Sequence, residues 1–475
     1  MPAHVSDHPM WDAPSVTEPI NATVLVPASK SLTNRYLVLA ALADGPCTIH
    51  NTLISRDSEL MLDALAALGV GVERTVQDDQ STTVRLTPPA AAAGPRQGIV
   101  HIDCGLAGTV MRFVPALAAA LGVSAHFDGD AGARVRPMRP VLDALAELGA
   151  RIEYAGQPGF LPFTVHPQQL GQRPEVRIDA SGSSQFISAM LLAGPALPGG
   201  LRLRAADGAV ASPEHIQMTV QSMNELGATV STDPDARGWQ VAEGRLPAFS
   251  VSVEPDLSNA GPFLAAALAT AGTVRIPHWP QHTTQIGGRW RQILPAMGAR
   301  VELGADAVLT VRGTGTIGGI DYADAAELTP TLAALCTLAD SPSRLTGIGH
   351  LRGHETDRLA ALERELTRVG ATVQATEDTL RIIPPATRRA ADMLSYEDHR
   401  MATAAALIGL VTPGTRVENI ATTAKTMPDF ARMWEAMAAT AGTADAPAAG
   451  APAPDTPSSS TAAGGSADAA AGGRA

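Results

Sequence analysis

The chain has little cysteine, few aromatic residues and no long apolar runs, and each scarcity excludes a class of protein. Three cysteines among 475 residues, without Cys-x-x-Cys spacing or a paired histidine, argue against a zinc site or a disulfide framework. Aromatic residues make up 4%, so the core must be Leu, Val and Ala. No apolar run approaches the ~18–20 residues of a membrane helix, and the N-terminus lacks a secretory-signal pattern. We therefore expect a soluble cytoplasmic protein with no membrane partner.

Lysine is scarcer still. Only Lys30 and Lys425 occur among 35 basic residues. Codon bias explains why arginine replaces lysine elsewhere, but it does not explain these two. The pKa of an ammonium group can be lowered for proton transfer, whereas a guanidinium stays charged. Both lysines are therefore candidate catalytic residues. The net charge of −12 argues against a nucleic-acid partner, so anion binding must come from local clusters of cations.

The length predicts two or three domains, and two features repeat along the chain at intervals of 70 to 80 residues. In the first, an amphipathic helical pattern ends in a glycine, and an alternating strand pattern follows. Glycine suits the left-handed position that ends a helix. This feature occurs five times, with a degraded sixth copy near residues 434–439; the glycines are Gly69, Gly149, Gly227, Gly298 and Gly370.

In the second repeated feature, a polar or glycine-containing turn opens an Ala/Leu-rich helix that is apolar on nearly all sides, as interior helices are. One buried helix, one amphipathic helix and the strands between them therefore form a unit used six times, divided three plus three by a hinge around 245–256. The turns lie at Ser31, Thr109, Ser184, Asn259, Thr329 and Arg400, and the predicted buried helices at 36–43, 114–121, 187–193, 263–269, 332–338 and 402–410.

If the buried helices of each half run side by side, their N-termini point the same way and attract anions. Two facing halves would then enclose a cleft for a small, multiply anionic substrate. Residues 440–475 contain mainly Ala, Gly, Pro, Ser and Thr without periodicity, so we predict a disordered tail that activity does not need.

Charged residues at the turns have two interpretations. Lys30 and Arg35 flank the first helix start, where they can face an anion together with Ser31, although an N-cap serine with solvated charges is the alternative. Glu327 at the fifth turn could simply interact with the helix dipole. Glu355 could form an ordinary i,i+3 pair with the arginine that follows it.

Seven segments at or near the turns carry most of these charged, hydroxyl and glycine residues: 29–35, 105–112, 136–138, 181–186, 355–358, 398–401 and 424–429. Taken in order, they resemble the 5-enolpyruvylshikimate-3-phosphate synthase family. The resemblance runs from about residue 20 to 438. It implies an α/β (α+β) fold of two domains, each made of three βαβ-type repeats around buried parallel helices: 28–253 forms one domain, and 1–27 plus 254–439 the other. It also implies that no metal or organic cofactor takes part.

The resemblance implies transfer of the enolpyruvyl group of phosphoenolpyruvate to the 5-hydroxyl of shikimate 3-phosphate, with release of phosphate through a tetrahedral intermediate. This step belongs to chorismate and aromatic amino-acid biosynthesis. Glu327 is implied as general base, and the proton for the substrate methylene is left open among Lys30, Glu355 and Lys425. The implied contacts of shikimate 3-phosphate are Lys30, Ser31, Arg35, Ser183, Ser184, Gln185, Ser212, Glu327 and His354; those of phosphoenolpyruvate are Lys30, Gly108, Thr109, Arg136, Gln185, Arg358, Arg400 and Lys425.

The chain departs from the family pattern at three positions. Leu106 stands where many members have Asn, His354 at a frequent Lys position and His350 at a frequent Asn position. His354 could make binding pH-dependent. Gly108 keeps a small residue beside the phosphoenolpyruvate site, so we expect glyphosate to inhibit the enzyme. We also expect a monomer.

Two alternatives remain at this stage. The related UDP-N-acetylglucosamine enolpyruvyl transferases share phosphoenolpyruvate but use a loop cysteine, and here no cysteine lies between Arg112 and Cys336. A non-catalytic, anion-binding paralogue would be expected to have lost a lysine or Glu327, and this chain keeps all three.

Overall fold

The structure is a computed structural model that describes residues 8–77, 81–89, 98–168, 170–171, 175–206, 208, 210–353 and 355–443. The strands are β1 Met10–Asp12, β2 Asn21–Thr23, β3 Cys47–His50, β4 Gly71–Val76, β5 Thr82–Thr87, β6 Val100–Asp103, β7 Ala125–Asp128, β8 Arg151–Tyr154, β9 Phe163–His166, β10 Val176–Ile178, β11 Leu201–Ala205, β12 Val230–Thr232, β13 Gly238–Val241, β14 Ser250–Ser252, β15 Thr273–Ile276, β16 Arg300–Leu303, β17 Leu309–Arg312, β18 Asp321–Ala323, β19 Ser343–Thr346, β20 Thr372–Ala375, β21 Leu380–Ile383, β22 Asp392–Met393 and β23 Arg416–Glu418. The α-helices are α1 Lys30–Ala41, α2 Arg56–Ala67, α3 Gly108–Ala120, α4 Ala131–Arg134, α5 Arg139–Glu147, α6 Gln185–Ala193, α7 Pro213–Glu225, α8 Gly261–Ala269, α9 Trp290–Ala296, α10 Thr329–Thr337, α11 Arg358–Arg368, α12 His399–Leu410 and α13 Phe430–Ala438.

The six predicted buried helices are present as α1, α3, α6, α8, α10 and α12. Each is buried along almost its whole length, because small alanine and branched aliphatic side chains let neighbouring helices pack on every side. The amphipathic helices alternate with them. The five predicted helix-ending glycines all have positive φ, between 95° and 109°, as the left-handed position requires. The degraded sixth copy is α13.

Five four-stranded sheets share one order, exemplified by β6-β7-β9-β8. The first two strands of each sheet are parallel, and the last two form an antiparallel hairpin. The sixth sheet has three strands, with β1 antiparallel to β23. Two of the parallel pairs join strands that lie far apart in the sequence: β14 pairs with β3, and β2 pairs with β15. The predicted two groups of three α/β units are therefore confirmed.

The buried apolar side chains form two cores. The first contains residues between Ala28 and Val253; the second contains residues between Ala13 and Val26 and between Leu257 and Ala438. We call the parts of the chain around them the first and second lobes. The chain passes between them in two adjacent segments, where Asp256 N donates to Pro27 O at 2.8 Å and Ser29 N donates to Glu254 O at 2.8 Å. The expected domain boundaries at 27, 253 and 439 stay a prediction.

The start of the predicted tail packs on the second lobe. Thr440 Oγ1 accepts from Asn21 N at 3.1 Å, and Gly442 N donates to Pro19 O at 3.0 Å. Residues 444–475, which make up the rest of the predicted tail, lie outside the described residues. Of the helices described, none is long and apolar enough to cross a membrane.

Candidate active site

A cavity lies between the lobes, where the N-terminal ends of the six buried helices or the turns before them meet. The convergence predicted from the repeat is therefore present, and it brings the unpaired N–H groups of helix starts to one place. The lining residues are Ser29, Lys30, Ser31, Thr109, Gln185, His215, Met218, Asp256, Ser258, Gln285, Ile286, Gly287, Glu327, Glu355, Arg358, His399, Arg400 and Thr426.

Lys30 is the first residue of α1, and its side chain reaches the cavity. Its Nζ lies 3.1 Å from Oδ2 of Asp57, a buried carboxylate in the first turn of α2. This pairing offsets the unfavourable placement of an ammonium at a helix N-terminus. Ser29 caps the helix by accepting from the N–H of Leu32, so the hydroxyl of Ser31 remains available to the cavity.

Arg35 lies behind the cavity wall rather than among its lining residues. Its guanidinium donates to Ser31 O, His215 O and Thr219 Oγ1 at 2.8–3.0 Å, and its side chain is fully buried. Burial lowers the pKa of Arg35 to about 10, although Glu327 opposes the shift. In this structure Arg35 ties α1 to α7.

The third turn places Gln185 against a buried arginine. Nη1 of Arg112 donates to Gln185 Oε1 at 2.8 Å and to Ser183 Oγ at 3.0 Å, and its Cζ lies 5.0 Å from the centroid of the Phe186 ring. Burial and then the neighbouring Arg136 lower the pKa of Arg112 to about 9. Ser184 is buried at the start of α6.

The glycine turn before α3 touches another arginine. A Cβ at Gly108 would lie 3.2 Å from Nη2 of Arg136 and 3.3 Å from Oε1 of Gln185. Arg136 Nη1 donates to Leu106 O at 3.4 Å, while its buried Nε has no partner among the described residues. Thr109 lines the cavity and accepts a hydrogen bond of 2.8 Å from Asn34 Nδ2.

Glu327 faces His215 across the lobes. Oε1 of Glu327 lies 3.3 Å from Nε2 of His215, and the Glu327 side chain is 12% exposed. Burial favours the neutral acid, but His215 and then Arg400 outweigh it and hold the pKa of Glu327 well below its usual range. Ser212 precedes α7 with φ of 44°, a conformation that costs a non-glycine residue ~1–3 kcal/mol and is often found at functional sites.

Glu355 lies between two cations. Its Oε1 accepts from Lys425 Nζ at 2.8 Å, and its Oε2 accepts from Arg358 Nη2 at 2.9 Å. Arg358 also forks onto Asp398, with distances of 2.7 and 3.2 Å. Burial favours the neutral acid, yet Lys425 and then Arg358 lower the pKa of Glu355 well below its usual range. The i,i+3 pair expected as the simpler alternative exists, but as part of a buried network.

His399 and Arg400 are the first residues of α12, and both line the cavity. Arg400 Nη2 donates to Ser258 Oγ at 3.1 Å, and its main-chain N donates to Asp398 Oδ1 at 2.9 Å. Burial and then Arg400 lower the pKa of His399 well below its usual range, so the imidazole is neutral near pH 7. Burial likewise lowers the pKa of His350. The expected contact of His354 lies outside the described residues.

Several of these groups carried no assignment in the sequence. Asp57 looked like an ordinary acid in a first helix turn, and His215 is one residue in a polar helix start. Asp398 precedes a predicted helix, where a capping role was sufficient explanation. Arg112 belongs to a matched segment, yet its partners become visible only when α3 and α6 pack together. No local pattern separates these residues from structural ones.

The arrangement defines a class of protein. Lysine and arginine side chains gather where helix starts supply further N–H donors, so the cavity suits small substrates with several negative charges. Carboxylates held ionised beside an ammonium suit proton transfer. Among the described residues, no cluster of three or more His, Cys, Asp or Glu side chains could hold a metal ion. The chain is a two-lobed α/β enzyme built for polar chemistry on anionic substrates.

Comparison with known proteins identifies the family. The family model of EPSP synthase (3-phosphoshikimate 1-carboxyvinyltransferase) matches residues 15–434. A 3-phosphoshikimate 1-carboxyvinyltransferase of Bifidobacterium longum is 49% identical over 439 residues, covering 90% of this chain and 98% of the relative. One of Kocuria rhizophila is 51% identical over 444 residues, covering 93% and 99%. A solved EPSP synthase of Acinetobacter baumannii shares the fold, with a TM-score of 0.72 at 23% identity, covering 90% of this chain and 98% of that one.

The chain belongs to the EPSP synthase family. The predicted fold, enzyme class and reaction, an enolpyruvyl transfer in the shikimate pathway, are confirmed. The sugar-nucleotide transferase and the non-catalytic paralogue are thereby set aside.

Proposed function

We propose that phosphoenolpyruvate and shikimate 3-phosphate bind side by side in the cavity between the lobes, on the residues that the sequence resemblance assigns to each. The observation that carries the proposal is the convergence of Lys30, Arg358 and Arg400, from both lobes, on one cavity. Arg136 lies beside Gly108 at the start of α3 in the first lobe, and Lys425 contacts the lining residue Glu355 in the second. The forked N–H donors of arginine match the geometry of carboxylates and phosphates. Each of the two substrates carries one carboxylate and one phosphate, so this set of cations suits their four anionic groups.

Glu327 is the general base of this proposal. The 5-hydroxyl oxygen attacks C2 of phosphoenolpyruvate while its proton passes to the Glu327 carboxylate. His215 and Arg400 hold the pKa of Glu327 low, which keeps the carboxylate ionised near neutral pH and also lowers its affinity for the proton. The side chain lies in the cavity wall and is 12% exposed, which limits competition from water.

The Lys425–Glu355 pair supplies the methylene proton. Addition requires one proton at C3 of phosphoenolpyruvate; elimination then returns a proton from that methyl group and expels phosphate, which restores the enol ether. Glu355 touches both Lys425 and Arg358, so it can bridge the proton donor and the carboxylate-binding cation. Lys30 is instead paired with Asp57, which favours substrate binding for that ammonium.

A phosphate-release assay tests the function directly. The purified chain with phosphoenolpyruvate should release phosphate with shikimate 3-phosphate and not with UDP-N-acetylglucosamine. Glu327→Gln should lower kcat by about 10²–10⁴ without a matching loss of substrate binding. Turnover of Glu327→Gln at the wild-type rate would remove the base from this proposal.

Four further properties belong to the proposal: the two lobes act as separate domains, and the enzyme is a cytoplasmic monomer that glyphosate inhibits. The two cores and the narrow crossing at 26–29 and 253–256 support separate domains. Light scattering of the purified chain tests the monomer, and turnover at millimolar glyphosate tests inhibition.

A further inference from the structure

Two contacts join the start of α7, in the first lobe, to the turn in the second lobe that carries Glu327. Glu214 Oε1 accepts from Arg289 Nη2 at 2.5 Å, and Nη1 of the same arginine donates to the main-chain oxygen of Asp324 at 2.8 Å. One residue further along α7 is His215, whose Nε2 lies 3.3 Å from Oε1 of Glu327. Two adjacent residues of α7 therefore act on the same turn. Glu214 reaches its backbone through Arg289, and His215 contacts the Glu327 side chain directly.

The turn depends on such contacts because its backbone is strained. Asp324 has φ of 55° and Ala326 has φ of 42°, and both are non-glycine residues in the left-handed region. Such a conformation costs ~1–3 kcal/mol per residue and persists only where the surroundings hold it. Within its own lobe the turn is held by the hydrogen bond of 2.9 Å from Asp324 N to Thr346 O and by burial of Ala325 and Ala326. Arg289 makes a second contact with Asp324, and the same guanidinium donates to Glu214 of the other lobe.

We propose that Glu214, Arg289 and His215 form a clamp that couples closure of the lobes to the placement of Glu327. The inference rests on the proposed role of Glu327 as general base. When the lobes meet, Glu214 orients Arg289 on the turn and the His215 imidazole orients the Glu327 carboxylate. All three are positioning residues, since each acts through Glu327. The side chains of Glu214 and Arg289 are 18% and 32% exposed, so this pair is screened less than a surface ion pair.

A mutational cycle across Glu214 and Arg289 tests the clamp. Glu214→Gln and Arg289→Gln should each lower kcat by about ten- to a hundredfold, as expected for a misplaced catalytic group, with KM for phosphoenolpyruvate nearly unchanged. The double variant should lose no more than either single variant, because both break one connection. The matched control is Arg416→Gln: Arg416 forks onto Asp392 at 2.6–2.7 Å within the second lobe, and this variant should keep wild-type kcat. Wild-type kcat in both single variants, or losses that multiply in the double variant, would overturn the clamp.

The pH profile distinguishes positioning from mere packing. Glu327 is faced by His215 from α7 and by Arg400 from α12; its charge is also felt by Arg35 on α1, by Arg358 on α11 and by His350 in the 3₁₀ helix Gly349–Gly353. His215→Leu removes the imidazole and should move the acid limb of the kcat profile to higher pH, whereas His215→Gln keeps a donor and should restore most of kcat. An unmoved acid limb in His215→Leu contradicts the clamp.

The clamp and the proposed function can fail separately. If Glu327→Gln is inactive but the clamp variants turn over normally, only the clamp is wrong. If Glu327→Gln turns over normally, the assignment of the base is wrong and the clamp falls with it.

Discussion

The Nζ of Lys425 lies 2.8 Å from Oε1 of Glu355, and the other oxygen of the same carboxylate accepts from Arg358 at 2.9 Å. Seventy positions of sequence separate the lysine from the glutamate. The glutamate side chain is 13% exposed, so this acid stays ionised only because two cations touch it. One of the two lysines of the chain therefore forms an ion pair with a carboxylate inside the candidate active site.

Replacing that lysine should remove most activity. Lys425→Met eliminates the proposed proton donor and leaves Glu355 with one cation fewer, so kcat should fall by about 10²–10⁴. Phosphate release at saturating substrates measures it. Lys425→Arg keeps the positive charge but not the readily lowered pKa, so it should also be impaired. Wild-type turnover in Lys425→Met, and equally in Lys30→Met, would end the case for lysine in catalysis.

Loss of Arg358 should cost stability as well as binding. The Asp398 side chain is fully buried, and Arg358 donates to both of its oxygens. Arg358→Met leaves buried carboxylates without this partner, which should lower the free energy of unfolding by ~3–5 kcal/mol. Urea denaturation measures the change. Arg416→Gln, which breaks an exposed pair, is the control and should lose at most ~1 kcal/mol; equal losses in the two variants would contradict the prediction.

A methyl group at Gly108 should disturb the neighbouring arginine. The added Cβ would come within 3.2–3.3 Å of both terminal nitrogens of Arg136, so the guanidinium must shift by a few tenths of an ångström. Gly108→Ala should therefore raise KM for phosphoenolpyruvate more than it lowers kcat, and should weaken inhibition by glyphosate. Steady-state kinetics with and without glyphosate checks both effects. A control is Gly182→Ala, where a Cβ meets nothing within 4 Å; an effect of the same size there would refute the steric explanation.

Acid should destabilise the folded chain partly through Glu355. Burial opposes its ionisation, but Lys425 and Arg358 hold its pKa in the folded chain below the value of ~4.3 expected when unfolded. The unfolded chain therefore binds the proton more readily, so this stabilisation is complete above about pH 5 and is lost as pH falls further. The free energy of unfolding should fall less between pH 7 and about pH 4 in Glu355→Gln than in the wild type. Parallel declines in the two proteins would contradict this.

The helix α13 packs into the core of the second lobe. Trp434 packs on Phe263 and Phe430, with ring centroids 5.3 Å apart in both pairs. Trp434→Ala should lower the free energy of unfolding by ~3–5 kcal/mol. A chain that ends at Thr443 should keep the kcat and thermal stability of the full chain. A drop in kcat of the shortened chain would show that residues 444–475 contribute to activity.

Patterns along the chain were sufficient for the fold. The buried helices could be predicted because a helix that is apolar on all sides has to be interior, and the helix ends because a glycine can adopt positive φ. The pairing of β2 with β15 and of β14 with β3 leaves no local pattern, since these short strands pair over more than 200 residues. Only the family resemblance implied that residues 1–27 belong with the second lobe.

The candidate site was predictable only where a residue was unusual for its place. Lys30 stood out as a cation at a helix start, and Lys425 as the second of two lysines. His215 and Asp57 did not stand out, because a histidine in a polar turn and an acid in a first helix turn are ordinary. For Arg35 the motif suggested a substrate contact, and in this structure its guanidinium joins two helices; the substrate contact stays a prediction.

Composition and periodicity thus specified the elements, their sixfold repetition and the anionic character of the substrate, because hydrophobic burial and helix geometry act over a few residues at a time. Which carboxylate meets which cation, and which lobe holds the turn of Glu327, depended on the packed fold. Ion pairs such as Lys425–Glu355 and His215–Glu327 join distant segments, and their pKa values follow from burial and charge, which exist only once those segments are in contact.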